Sequence, residues 1–298
     1  MSPDPRPRSG DPHLPAPAVQ FGDDFLARVE GLLVRLSGAR ERREGAGRSA
    51  LAGGGEEFTG YRPYRPGEDL RALDWSLLAR LDRPFVRVTR REAGERWAIL
   101  VDASASMGVG PPGKLARAAE VAAALACLGL RIGAVVRLVV SSPQGASPHE
   151  FTLRSRVDPL AMLGFLEGRR ASGDGGLAPL LAAPRRLADA GRVFVVGDLL
   201  DVEFAALGGL MRRGRELGAV QLLAPLEFAP PQGAVEWWDP EGGERLRLRV
   251  DRPTANAYER RLELRLDAWR TSCARHRIAY TCASTAQPFE DIVRALLR

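Results

Sequence analysis

Two predicted strands of this chain each end in an aspartate. The apolar run WAILV leads to Asp102, VFVVG leads to Asp198, and Ser104 and Ser106 follow the first aspartate at alternate positions. Two carboxylates and two hydroxyls form an all-oxygen set, which suits Mg²⁺ because this ion prefers oxygen ligands and keeps several of its waters. We therefore predict a Mg²⁺ or Mn²⁺ site at these four residues. The serines would bind the metal directly, and the aspartates would act mainly through water.

The four residues meet only if the two strands are neighbours in a parallel sheet. From Trp97 onward, near-continuous apolar strands alternate with helical segments, a pattern typical of a parallel sheet that is covered on both faces. Such sheets bind ligands at the carboxyl ends of their strands. The sequence thus predicts an α/β fold, with a doubly wound, mostly parallel sheet and helices on both faces. The predicted helices include residues 114–130, 177–190 and 202–218, and a strand is predicted over 219–226.

The chain is predicted to have three parts. Residues 1–20 are rich in proline and lack periodicity, which indicates a disordered tail. Residues 21–95 hold an amphipathic helix followed by an arginine-rich segment, and residues 96–298 form the α/β domain.

Residues 227–250 interrupt the α/β alternation and are predicted to form a hairpin insertion. Trp237 and Trp238 would point to opposite faces of one of its strands. An exposed tryptophan here could anchor a protein partner, and packing of the hairpin onto the domain is the alternative.

Composition narrows the function class. The chain has 298 residues and a formal net charge of +6, but its 43 basic residues are interleaved with 37 acidic ones, so we expect no nucleic-acid partner. Its 3 cysteines show no CxxC spacing and fit reduced thiols in a cytoplasmic protein. The longest apolar stretch, 121–140, is interrupted by Arg131 and Arg137, so no membrane span is expected.

The stretch DASAS (102–106) resembles the Asp-x-Ser-x-Ser signature of the metal-ion-dependent adhesion site in von Willebrand factor A domains. The resemblance implies that Asp198 completes this site and that an acidic residue of a protein partner binds the metal. The family's threonine position falls on Gly175, and a one-residue shift would bring Asp174 or Ser172 to it.

A wider resemblance covers residues from about 25 to the end. The segment 47–87 is similar to the signature of the bacterial family called domain of unknown function 58, which implies a von Willebrand factor A-like domain after it. It also implies an adaptor role beside a MoxR-type AAA ATPase. The matching residues are Gly55, Glu57, Phe58, Arg62, Tyr64, Pro66, Gly67, Glu68, Asp69, Arg71, Asp74, Trp75, Ala79 and Arg80.

Three alternatives stand beside a metal-dependent adaptor. A metal-independent scaffold would bind partners through Arg62 and Arg71 or through the tryptophan hairpin, although ion pairs within the arginine-rich segment would explain those arginines as structural. An NTPase would use the loop 108–114, which fits Gly-x-x-x-x-Gly-Lys but has Leu115 where a magnesium-binding hydroxyl is needed. A serine hydrolase lacks its GxSxG elbow, so we expect no enzymatic activity.

Overall fold

The computed structural model describes residues 16–44, 56–64, 77, 78, 80, 83–91, 95–154, 159–242 and 244–298. Arg71 and most of the arginine-rich segment lie outside the described residues, as does the side chain of Arg62. The proposed roles of these two arginines therefore stay predictions.

The elements of the described residues are as follows. The strands are β1 (Glu56–Pro63), β2 (Phe85–Arg91), β3 (Arg96–Val101), β4 (Val135–Val140), β5 (His149–Leu153), β6 (Arg192–Gly197), β7 (Glu216–Leu223), β8 (Gly233–Trp238), β9 (Arg245–Val250) and β10 (Ala279–Ser284). The α-helices are α1 (Phe25–Glu44), α2 (Lys114–Arg131), α3 (Pro159–Leu166), α4 (Ala178–Leu181), α5 (Pro225–Phe228), α6 (Arg252–Arg275) and α7 (Phe289–Leu296). Short 3₁₀ turns span Ala105–Gly108, Pro184–Leu187 and Phe204–Leu210.

Six strands form the central sheet in the order β10-β7-β6-β3-β4-β5. Neighbouring strands are parallel except at the edge, where β5 pairs antiparallel to β4. The predicted mostly parallel α/β sheet is thereby confirmed.

Helices cover both faces of this sheet. Trp97, Ile99 and Val101 of β3 point into a core shared with α1, α2, α3 and α7. Ala98 and Leu100, which alternate with them, point into a second core shared with α4 and α6. Because β3 is buried on both faces, its sequence reads as a continuous apolar run.

Two predicted helices are wrong. The stretch 177–190 forms only α4 and a 3₁₀ turn that begins at Pro184, since proline cannot continue the hydrogen-bonding pattern of a preceding helix. The stretch 202–218 forms a 3₁₀ turn, a bend at Gly214 with φ +80°, and the start of β7. A left-handed glycine is incompatible with a continuous right-handed helix, so β7 begins at Glu216 and not at residue 219.

The predicted disordered tail is wrong for residues 16–20. Val19 is buried, its N–H donates to the Arg169 carbonyl at 2.8 Å, and its carbonyl accepts from the Gly168 N–H at 3.1 Å. An apolar side chain within the proline-rich stretch thus finds a place in the core. Residues 1–15 lie outside the described residues.

Two antiparallel strand pairs are separate from the central sheet. One pairs β1 with β2, and the other pairs β8 with β9. The β8–β9 pair is a hairpin, and it falls where the sequence interrupts the α/β alternation.

Candidate functional site

The strand order creates a switch point between β3 and β6. From β3 the chain continues to β4 on one side and later returns to β6 on the other, and the two strands are parallel neighbours. Crevices at the carboxyl ends of such strands are the usual binding sites of open α/β sheets. Asp102 follows β3 and Asp198 follows β6, so the two carboxylates end adjacent strands at this point.

The four predicted site residues form one hydrogen-bonded chain. Asp102 Oδ1 accepts from the Ser104 N–H at 2.9 Å and from Ser104 Oγ at 2.8 Å. Ser104 Oγ and Ser106 Oγ are 3.0 Å apart, and Ser106 Oγ donates to Asp198 Oδ2 at 3.1 Å. Three of the four are buried, and only Ser106 is half-buried. Outside molecules would therefore reach this site from the side of Ser106.

A glycine makes the close approach of the two strand ends possible. A Cβ atom at Gly197 would lie 2.8 Å from the Asp102 Cβ and 2.9 Å from Leu177 Cδ1. Any side chain at this position would push Asp102 away from β6.

The turn after β6 fixes Asp198 from both ends. Leu199, buried at the next position, has a φ of +54°, an unfavourable conformation for a residue with a branched side chain. Asp198 Oδ1 accepts from the Leu200 N–H at 3.2 Å, and the Asp198 carbonyl accepts from Gln221 Nε2 at 2.6 Å. Tyr280 in turn donates its hydroxyl to Gln221 Oε1 at 2.5 Å.

Burial makes the negative charge of Asp102 costly. Desolvation raises the pKa of this carboxyl from 3.8 to about 6, the nearby Asp198 adds to the rise, and the hydrogen bonds from Ser104 partly oppose it. A carboxylate with so little solvation gains strongly from a nearby cation.

Sequence reasoning missed the cation that the structure places here. Lys114 Nζ lies 2.8 Å from Asp198 Oδ2 and 2.7 Å from Glu227 Oε1, and its side chain is 1% exposed. Burial lowers the pKa of the Lys114 ammonium, but Asp198 and Glu227 outweigh this effect and raise it, so the lysine is charged. In such a buried ionic cluster, removing one partner costs about 3–5 kcal/mol.

The composition held a signal for this residue. Lys114 is the single lysine in the chain, and every other cationic side chain, histidines aside, is an arginine. Lysine carries a compact ammonium on a flexible stem, whereas arginine carries a broad planar group. When every other Lys or Arg position holds arginine, a single lysine indicates a position that requires a compact cation.

The threonine position of the adhesion-site signature has no room for a side chain. A Cβ atom at Gly175 would lie 1.8 Å from the Ser142 carbonyl oxygen. The substitutes do not join the network either: Asp174 is exposed and its Oδ1 accepts from the Gln144 N–H at 3.3 Å, and Ser172 is exposed. No described contact brings Asp174 to Asp102 or Asp198.

The donor set at the strand ends fits Mg²⁺ in type, because it consists of two carboxylates and two hydroxyls in one connected cluster. The hydroxyls are essential to this fit. Within the described ranges, no group of three or more acidic, histidine or cysteine side chains is arranged to hold a metal ion.

The tryptophans of the hairpin lie on opposite faces of β8. Trp237 is half-buried and pairs with Leu246, whereas Trp238 is 42% exposed and pairs with Arg245. Arg247 and Arg249 share the face of Trp238, since residues two apart on a strand point the same way. This face of the hairpin is thus basic and carries an accessible aromatic ring.

A cavity of about 670 Å³ opens at the opposite, amino edge of the sheet. Its lining includes Trp97, Arg192, Phe194 and Glu216, and it contains none of the predicted site residues. The strand-end network is therefore separate from this cavity.

The three cysteines and Lys114 are not placed as nucleophiles or nucleotide ligands. Burial raises the pKa values of the Cys127, Cys273 and Cys282 thiols to about 11, far from the range of a reactive thiolate. Lys114, the residue that a phosphate-binding loop would direct at a nucleotide, is held by two carboxylates instead.

Comparison with known families identifies the chain. The model of the family described as "Protein of unknown function DUF58" matches residues 60–265, most of the sequence. The chain belongs to this family.

The similar proteins found by sequence match only part of the chain. Uncharacterized protein Rv1480 of Mycobacterium tuberculosis and uncharacterized protein Mb1516 of Mycobacterium bovis are each 38% identical over 99 residues, which are 33% of this chain and 31% of each relative. The match thus spans about a third of the length of these relatives.

Two solved structures match parts of the chain at low sequence identity. BatB from Bacteroides thetaiotaomicron matches with a TM-score of 0.39 and 14% identity, covering 68% of this chain and 98% of that one. An aerotolerance-related membrane protein from Bacteroides fragilis matches with a TM-score of 0.41 and 16% identity, covering 68% and 99%. In the described part of the present chain, no helix combines the length and apolarity needed to cross a bilayer.

Proposed function

We propose that this chain is a non-enzymatic adaptor that binds a protein partner at the carboxyl edge of its sheet. The observation that carries this proposal is the hydrogen-bonded chain from Asp102 to Asp198 at the switch point. The network contains oxygen ligands but neither histidine nor cysteine, so it suits binding better than nucleophilic catalysis.

Mg²⁺ or Mn²⁺ is the proposed cofactor. Ser104 and Ser106 would hold the ion directly, and Asp102 and Asp198 would hold it through water. When bound, the metal supplies positive charge that attracts an acidic side chain of the partner. Ser106, the half-buried member, would lie at the point where that side chain enters.

The proposed partner is a MoxR-type AAA ATPase. Membership of the DUF58 family supports this choice, because the family resemblance implies an adaptor that works with such a motor. The proposed location is cytoplasmic, in keeping with free cysteines throughout the described chain.

The test is the affinity of the purified chain for the MoxR-type ATPase of the same organism, measured in Mg²⁺ and in chelator. Asp102→Ala should weaken binding by about tenfold or more, because the network loses its first carboxylate. Asp189→Ala is the matched control, since Asp189 pairs with Arg96 at the opposite edge of the sheet. Equal affinities of wild type and Asp102→Ala would refute the proposal.

A metal-independent scaffold is the second candidate, and the hairpin favours it. Trp238 is exposed beside Arg245, Arg247 and Arg249, so this face would suit an acidic partner. Under this candidate, Asp102→Ala and chelator both leave partner binding intact.

A further inference from the structure

We infer that Lys114 is a built-in cation of the strand-end site and that it competes with a divalent metal for Asp198. The inference rests on the proposed function, because it names what regulates the metal site. It assigns a role to a lysine and a glutamate that the metal-binding signature does not include.

The competition follows from one shared oxygen. Asp198 Oδ2 accepts both from Lys114 Nζ at 2.8 Å and from Ser106 Oγ at 3.1 Å. The Lys114 ammonium therefore shares an acceptor oxygen with Ser106, one of the proposed metal ligands. A divalent ion held by Ser106 and Asp198 would experience the repulsion of this fixed positive charge, in surroundings that water barely screens.

The lysine is held firmly in this position. It is the first residue of α2, and helical side chains tilt toward the helix amino terminus, which directs Lys114 toward the strand ends. A cation at this terminus is opposed by the helix dipole, so it requires compensation by nearby carboxylates.

Glu227 supplies the second compensating charge and is itself anchored. Its Oε2 accepts from the Ala224 N–H at 2.6 Å, and its carbonyl accepts from the Tyr258 hydroxyl at 2.9 Å. The ammonium thus connects α2 with the turn after β6 and with α5, which follows β7.

In consequence, the ammonium supplies part of the positive charge that a bound metal would supply. It neutralises Asp198 in the absence of a divalent ion, and it lowers the affinity for one. Without it, Asp198 and Glu227 would face each other unneutralised, and an external cation would become the means of holding them together.

Lys114→Met tests this inference, with Mn²⁺ alone as the probe. The variant should bind Mn²⁺ about tenfold or more tightly than wild type in calorimetry, since like-charge repulsion is removed. Its melting temperature should fall in chelator and recover on adding Mn²⁺, more than wild type responds. Arg117→Met is the matched control. Arg117 lies in the same helical turn as Lys114 but pairs with Glu120, so this variant removes a cation that does not contact the site.

A second variant keeps the test valid if Lys114→Met alone does not fold. Lys114→Met combined with Glu227→Gln removes one positive and one negative charge and should also bind Mn²⁺ more tightly than wild type. Unchanged or weaker Mn²⁺ affinity in the folded variants, or unfolding that Mn²⁺ does not reverse, would overturn the inference.

The outcomes separate this inference from the proposed function. Partner binding that depends on Asp102, with unchanged Mn²⁺ affinity in Lys114→Met, would keep the adaptor and discard the competing lysine. Tighter Mn²⁺ binding in Lys114→Met, with partner binding insensitive to Asp102→Ala, would keep the competing lysine and discard docking of the partner at this site.

Discussion

At the scale of single residues, the site is determined by where charge is buried. Asp102, Asp198 and Lys114 are all nearly inaccessible to water, and each is stabilised by a named partner in the network. Such an arrangement costs folding free energy unless every member stays paired. The cluster is therefore sensitive to single substitutions that add or remove one group.

Gly175→Thr should not repair the adhesion-site signature. A Cβ atom at Gly175 would overlap the Ser142 carbonyl, so the loop must move to accept it. We expect a loss of about 1–3 kcal/mol in unfolding free energy, measured in urea, and no gain in Mn²⁺ affinity.

Gly164→Thr is the control, since a Cβ atom there meets nothing within 4 Å. A Gly175→Thr variant with wild-type stability and tighter Mn²⁺ binding would show that the loop adapts and that the threonine is simply missing.

Much of the candidate site could be predicted from single residues. Asp102 and Asp198 were predictable because each ends an apolar strand, and the serines because of their spacing. Glu227 was not predictable, since it lies 113 residues from Lys114 and they meet only through the sheet order. The sequence placed Lys114 only in the alternative of a phosphate-binding loop, and its burial between Asp198 and Glu227 was not predicted.

At the scale of elements, α1 packs its apolar face into the domain core and is also tied to α7 by an ion pair. Arg28 donates to both carboxylate oxygens of Glu290 on α7, at 2.7 and 2.9 Å, and the rings of Phe25 and Phe289 lie 5.0 Å apart. These contacts connect the segment before the signature to the last helix of the domain.

Glu290→Gln should lower the unfolding free energy by about 1 kcal/mol at pH 7. Burial raises the pKa of Glu290, but the hydrogen bond from Arg28, a backbone hydrogen bond and the charges of Arg28 and Arg117 together outweigh burial and hold this pKa below the ordinary 4.5. A carboxyl whose folded pKa is lowered stabilises the protein above the unfolded pKa, and this contribution is lost as pH falls through the folded pKa. Urea unfolding at pH 7 and below pH 4 measures the difference.

The control is Asp291→Asn, which alters an exposed pair with Arg294 on the same helix. If Glu290→Gln behaved like this control at pH 7, or if its effect persisted unchanged in acid, the ion pair would not fasten α1.

The elements themselves were predictable to different degrees. Strands β3 and β6 were predictable from their apolar runs, and α2, predicted over 114–130, ends within one residue of that prediction. The region 202–218 was not, because its apolar spacing resembles a helix while glycines and a 3₁₀ turn break it. Short-range periodicity does not register such backbone conformations.

At the scale of the whole molecule, the strand order separates two edges. The switch point gathers the strand-end network at the carboxyl edge, and the cavity with Arg192 lies at the amino edge. The tryptophan hairpin is a third candidate surface, and Glu241 in its turn is close enough to the strand-end network to add to the rise in the Asp102 pKa. We propose that the partner docks at the carboxyl edge.

Hydrogen–deuterium exchange of the chain, with and without the MoxR-type ATPase, locates the docking surface. We predict slower exchange in peptides covering residues 103–110 and 199–203, with the hairpin strands β8 and β9 unchanged. Protection confined to these two strands or to the amino edge, with the strand-end peptides exchanging as in the free protein, would refute docking at the carboxyl edge.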